Sequence, residues 1–509
     1  MSPRRVLSAV LLLLACAAAP SSAFAQDPPK GATMQGAEAA YRENDFKTAV
    51  SILQALAEGG NALAQHRLGI MYVEGRGTPR DRARGAEWIG KAAEQGEVAA
   101  QFLFGRLLLE GIGVERNPTA AAKSLLKAAA RGHAQAQILI GRLYIGGVGV
   151  AQDMGAALTW LEAAAAQEVA DAQFDLGLLL SRGQGVAKDN DKALKWLTKA
   201  AENKHVGAQM SLAESYSKGA GVPKDEKKAL DWYRAAAEGG SPVAQRILGA
   251  FYLQGQGVAR DAEAAANWTR KAAEAGDVSA QSNLGFMYAS GTGVPQDDGQ
   301  AALWYRRAAD HGLPRAQAAL ALFYETGRGV ARDEAQAAGL YRKAAVAGDP
   351  SAPARLGALL VKQGALGDRA EAAIWIHKAA EGGDAAAVAW LERAATDGLP
   401  AAVGRLANLH ASGKGVAADG AKAMRLYAAA ADKGDAFAQM QLGLRYARGE
   451  GVAQDYVQAH KWVNLAAADG DTEAAKSRDV FAKLMTPEQV AEAHRLAREW
   501  TQTNRAPPK

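Results

Sequence analysis

Cysteine is nearly absent. The chain has 509 residues and one cysteine, Cys16, inside an apolar N-terminal stretch. Once that stretch is cleaved, no thiol remains for disulfides, thiolate metal ligands or a cysteine nucleophile. Proline is scarce at 16 residues. Excess charge is small too. The formal net charge is +5, falling to +3 without Arg4 and Arg5. That is too little to argue for nucleic acid, and Lys/Arg runs are lacking. Beyond the N-terminus no segment is long and apolar enough to span a bilayer. G-x-S-x-G, H-E-x-x-H, C-x-x-C and Gly-Lys-Ser/Thr are all missing, which removes the sequence grounds for the corresponding hydrolases, zinc sites and nucleotide loops.

What is present is apolar content of 49% with charged residues of mixed sign at 22%. This is the profile of a folded helical protein too long for one core, so several domains or a repeat array are expected. The N-terminus joins a basic pair, Arg4-Arg5, to an apolar run from Val6 to Ala19 and the small-residue site Ala23-Phe24-Ala25. Residues 1–25 are therefore expected to be a signal peptide cleaved before Gln26, followed by a linker at 26–32. The expected location is periplasmic or secreted. Leu13-Leu14-Ala15-Cys16 offers an alternative, a lipid anchor through Cys16.

One seven-residue pattern recurs. GRGTPRD begins at Gly75, GIGVERN at Gly111, GVGVAQD at Gly147 and GQGVAKD at Gly183, and the series continues through Gly219, Gly255, Gly291 and Gly327 at 36-residue spacing. After a gap it resumes at Gly413 and Gly449. A fixed period of this size is the signature of a solenoid, and it turns a possible phosphate loop into turn punctuation.

The unit 277–312 shows the logic. Ala280, Leu284, Met287 and Tyr288 fall on one helical face. Gly285 within that helix points to a close backbone crossing. Gly291 and Gly293 supply a positive-φ turn, Val294 tucks inward, and Asp297 caps a second helix. Ala301, Trp304, Tyr305 and Ala308 form its buried stripe, and Gly312 ends it. Pro242, Pro314, Pro350 and Pro400 suit the first position of the helices that follow.

The stop positions run every 36 residues from Gly60 to Gly348. Gly383 comes after 35, and Gly398 after only 15, so 21 residues are missing. One first helix and its loop are absent around 384–398. Two readings stand: a tolerated deletion, or a hinge at a weak interface. The expected organisation is a helical pair at 33–60, a regular array at 61–383, a truncated repeat at 384–398, further repeats at 399–470, capping helices at 471–500 and a disordered tail at 501–509. Thr486, Pro487 and Gln489 form the start signal of the last helix.

These units, A-x-x-x-L-G-x-x-Y-x-x-G-x-G-V-x-x-D followed by A-x-x-W-Y-x-x-A-A-x-x-G, resemble the Sel-one-like repeat family, a tetratricopeptide-like branch. The resemblance covers about 60–470 in eleven units of near-full length. It implies an all-α, right-handed superhelical solenoid of antiparallel helix pairs, and a scaffold or adaptor with a protein or peptide partner. For exported bacterial members it implies envelope regulation, polysaccharide export or host contact. The β-lactam activity credited to cysteine-rich members does not carry over to this chain.

No catalytic, metal or cofactor-binding residue stands out, and no cofactor is expected. His133 and His205 read as solvated helix-end residues. The tryptophans at 88, 160, 196, 232, 268, 304, 375 and 462 read as repeat-core residues, not as a sugar-stacking ladder. The expected function is a non-enzymatic scaffold. A glycan or peptidoglycan module, or a polysaccharide-export factor with envelope-polymer contact, is the alternative, and a hydrolase stands behind it. Exposed aromatics off the repeat pattern would favour glycan, and a deep pocket of converging polar groups would favour an enzyme.

Overall fold

The computed structural model describes residues 32–364 and 366–504. The expected signal peptide at 1–25, its expected cleavage site and Cys16 lie outside the described residues, as does 505–509. Among the described residues there are 27 helices and no strand.

The helices fall into two compact units, one ending at Lys224 and the other beginning at Asp225. The first holds α1 (Met34–Arg42), α2 (Phe46–Glu58), α3 (Ala62–Glu74), α4 (Arg82–Glu94), α5 (Val98–Glu110), α6 (Pro118–Ala130), α7 (Ala134–Gly146), α8 (Met154–Ala165), α9 (Ala170–Arg182), α10 (Asn190–Glu202) and α11 (Val206–Lys218). The second opens with α12 (Glu226–Glu238), α13 (Pro242–Gln254), α14 (Ala262–Glu274), α15 (Val278–Ser290), α16 (Asp298–Asp310), α17 (Pro314–Thr326), α18 (Glu334–Val346) and α19 (Ala352–Gln363). It continues with α20 (Leu366–Glu381), α21 (Ala385–Thr396), α22 (Pro400–Ser412), α23 (Gly420–Asp432), α24 (Ala436–Arg448), α25 (Tyr456–Ala468), α26 (Thr472–Ala482) and α27 (Pro487–Asn504). In each unit a helix packs on the next in sequence, and the helix pairs stack as a solenoid.

The unit 277–312 matches its sequence reading closely. Asp277 and Asp297 cap α15 and α16 through their carboxylates. Gly291 and Gly293 take φ of 69° and 71°. Val294, Ala301, Trp304, Tyr305 and Ala308 are buried. The backbone N–H of Asp297 donates to the Tyr288 carbonyl at 3.0 Å, tying the start of the second helix to the end of the first. The same bond joins Asp81 to Tyr72 and Asp333 to Tyr324. Gly285 lies where a Cβ would sit 2.8 Å from the Tyr305 ring, the close crossing that its place in the helix implies.

Pro350 departs from expectation. Pro242, Pro314 and Pro400 open their helices, but α19 starts at Ala352. The cause is Pro353. It has no N–H to donate to the Asp349 carbonyl, so the first α-helical bond of that turn cannot form. Asp349 still caps, accepting from the backbone of Ser351 and Ala352.

At the register break α21 stands without a first-helix partner. α20, α21 and α22 instead pack three ways. Leu356, Ile376, Leu391 and Leu409 belong to one buried cluster that runs across the break. There α21 turns its own stripe of Ala387, Leu391 and Ala394 into the shared core. At the C-terminus Thr486 and Gln489 exchange bonds as a capping box, and α27 continues to Asn504, past the boundary expected at Trp500.

Candidate functional site

The sequence-derived candidates resolve as structure. His133 and His205 are not free helix ends in water. Each is an N-cap whose Nδ1 accepts a backbone N–H, from Ala136 at 3.2 Å and Ala208 at 3.0 Å. Their rings lie against Phe102 and Phe174. Burial pushes both imidazoles below their ordinary pKa, which keeps them neutral and able to accept. The tryptophans are less interior than their repeat position suggested. Trp304 and Trp462 are buried, while the other six are half-buried. Cations cover outward faces: Lys91 over Trp88 at 4.5 Å, Lys271 over Trp268 at 4.1 Å, Arg307 over Trp304 at 4.3 Å. Those rings offer no bare face to a sugar.

A row of buried glutamines went unread in the sequence. Gln65, Gln101, Gln137, Gln209, Gln245, Gln281, Gln317 and Gln439 each donate Nε2 to an alanine carbonyl eight residues earlier, in the last turn of the preceding helix. They satisfy carbonyls that a helix end leaves open. The recurring Ala-Gln before the apolar stripe was the available signal. The glutamine is replaced by Pro353 in α19 and Val403 in α22, on either side of the break. Lys378 of α20 compensates at the first, donating to the Ala345 carbonyl at 3.0 Å.

Behind the break lies a polar chain. His377 Nε2 is 3.1 Å from Asn408 Oδ1, and Asn408 donates Nδ2 to the Tyr427 hydroxyl at 3.2 Å. Glu381 pairs with Lys414 at 3.2 Å. These groups bond to one another and join α20, α22 and α23. Among the described residues no group of three or more His, Cys, Asp or Glu is placed to hold a metal.

One outward-facing feature is a cavity of about 360 Å³ on the first helices α13, α15 and α17, floored by α14 and α16. Four side chains shape it, one of them, Thr269, a departure from the repeat and three at positions that vary among repeats. Thr269 occupies the inward position held elsewhere by Leu125, Leu161 and Leu197 in the first unit, and by Tyr233, Tyr305 and Tyr341 in the second. It is buried, and its small side chain leaves the floor low. Ala250 and Ser282 are small at wall positions that hold Arg142 and Phe174 in other repeats. Phe286 stands at the rim, 57% exposed. The guanidinium of Arg315 donates to the Ser279 carbonyl at 3.1 Å and to Asn283 Oδ1 at 2.9 Å. Both partners are neutral, so its charge is uncompensated at the cavity edge. Burial raises the Tyr305 hydroxyl to about 12, so it remains a neutral donor in the wall. The site can take up an apolar side chain and pair a negative charge beside it. It contains no assembled nucleophile and base.

Comparison with known proteins places the fold. The sequence model of the Sel1 repeat matches twelve segments between 62 and 471, including a short one at 385–399. The count exceeds eleven because that fragment is scored as a repeat. A solved structure, the c5321 protective antigen of uropathogenic Escherichia coli strains, displaying an SLR fold, is 32% identical over 90% of this chain and 98% of its own, with a TM-score of 0.59. A Sel1 repeat protein from Oxalobacter formigenes is 36% identical over 60% of this chain and 89% of its own, with a TM-score of 0.49. No curated protein matches the chain. The chain belongs to the Sel1 repeat family, helical-repeat proteins that generally mediate protein–protein interaction.

Proposed function

We propose that this protein is an exported, non-enzymatic scaffold that holds a segment of a partner protein on its first-helix faces, with the cavity beside Phe286 as the anchor. The observation that carries this reading is a small residue in the floor beside an exposed aromatic. Thr269 replaces the larger inward side chain of the other repeats, and Ala250 and Ser282, at variable positions of the wall, leave the space beside Phe286 open. An exposed phenylalanine next to a pocket is the composition of an interface anchor. A glycan site would call for several bare aromatic faces. Equivalent rim positions instead hold Ile70, Arg106, Leu178, Glu214 and Leu322.

A photo-crosslinking residue at position 286, installed in cells, tests the reading. It should yield a discrete protein adduct that a probe at Val346 does not, Val346 being 72% exposed on α18. Equal labelling from both positions, or none from 286, contradicts it. Export rests on the Arg4-Arg5 pair, the apolar run and Ala23-Phe24-Ala25. The intact mass of the purified protein should correspond to a start at Gln26; a lipidated Cys16 would replace the soluble form with an anchored one.

A further inference from the structure

Resting on the peptide-binding reading above, we infer that the α13–α15–α17 cavity selects an extended peptide carrying a large apolar side chain next to a carboxylate. The apolar half follows from the lining. Leu253, Met287, Ala250, Ala319 and the Phe286 ring surround a volume that an aromatic or long aliphatic side chain can occupy. Thr269 below them is what keeps that volume empty. The repeats with Leu125, Leu161 or Leu197 at the same position place a larger side chain there, each against a glycine on the first helix just as Thr269 faces Gly249.

The carboxylate half follows from charge. Arg315 is the one ionised side chain lining the cavity. It is exposed, and its two bonds go to a carbonyl and an amide oxygen. Its neighbour Arg246 on the same face is different, being neutralised by Asp277 at 3.2 Å. A guanidinium held in place and left without an anion suits a carboxylate, which it can bind through two N–H groups. Asn283, fixed by Arg315 through Oδ1, keeps its NH₂ free to meet a peptide carbonyl.

Three labelled nine-residue peptides of alternating Gly and Ser test this, with central Phe-Asp, Phe-Asn or Ala-Asp, titrated by fluorescence anisotropy against the full mature chain. Phe-Asp should bind at least about tenfold more tightly than either of the others. Thr269→Leu places in the cavity floor the residue that the repeats of Leu125, Leu161 and Leu197 carry against the equivalent glycine, so the chain should fold as before; it should weaken Phe-Asp about tenfold or more. Arg315→Gln should bring Phe-Asp down to the level of Phe-Asn and leave Phe-Asn unchanged. Equal binding of all three peptides, absence of binding, or indifference to Thr269→Leu overturns the inference. The crosslink at position 286 separates the two claims. A discrete adduct there with no Phe-Asp preference leaves the scaffold reading intact and removes the ligand chemistry proposed for it.

Discussion

Gly293 and Gly221 hold the same place in their loops and both have positive φ, at 71° and 77°, yet they face different surroundings. A Cβ on Gly293 would overlap the Ala262 carbonyl of the preceding hairpin, whereas one on Gly221 meets only the Asn190 side chain at 3.8 Å. Gly221→Ala should therefore cost about 1–2 kcal/mol, the left-handed conformation alone. Gly293→Ala should cost on the order of 2 kcal/mol more, since backbone must move. Chemical denaturation of the two variants reads the difference, and equal losses would mean that the second loop glycine serves φ only. His133 makes a similar point. His133→Ala should lose about 1 kcal/mol with the cap, and His133→Ser should restore it. If Ser does no better than Ala, stacking on Phe102 rather than capping is the residue's contribution.

Among the elements, α27 is held by a titratable contact. His460 of α25 is buried, with the His494 ring of α27 at 5.1 Å. Desolvation, then His494 and Arg478, hold its pKa down to about 4, against a smaller pull upward from Asp479. The folded value is thus below the unfolded one. Stability from the neutral ring is complete above about pH 6.5 and is lost as pH falls through the depressed value. Tryptophan fluorescence from Trp500 should report loosening of α27 between pH 6.5 and 4, absent in His460→Phe; an unchanged profile in that variant would assign the transition elsewhere. The register break belongs to this scale too. Its core is continuous, so amide protection across 357–404 should equal that across 240–348. Markedly faster exchange at the break would favour the hinge reading over the tolerated deletion. Helix order was legible because loop glycines, with aspartate caps at most second helices, recur in register along the regular array. The closure of the break was not, because it depends on α20, α21 and α22 meeting in space. The delayed start of α19 was visible only in the missing N–H of Pro353.

For the whole molecule, the residues that repeat hold the fold and the residues that depart from the repeat make the site. The candidate site was therefore largely illegible. A sequence search for motifs looks for chemistry, and here the signal is a threonine where neighbours have leucine or tyrosine, beside an exposed phenylalanine. Reading it requires knowing that positions 269, 250, 282 and 286 converge, and helix pairing supplies that. The half-buried tryptophans misled for a related reason. Repeat position fixes which face a residue is on, while depth differs among repeats: Trp88 and Trp268 are half-buried and Trp304 is buried, each beneath a cation. The central claim is that binding and stability are carried by different residues. Thr269→Leu tests it directly when thermal midpoint and crosslink yield at position 286 are measured on the same variant. The account predicts a midpoint equal to or above that of the parent, as for a filled cavity, with the adduct reduced about tenfold or more. A lowered midpoint, or an adduct of undiminished yield, would contradict it.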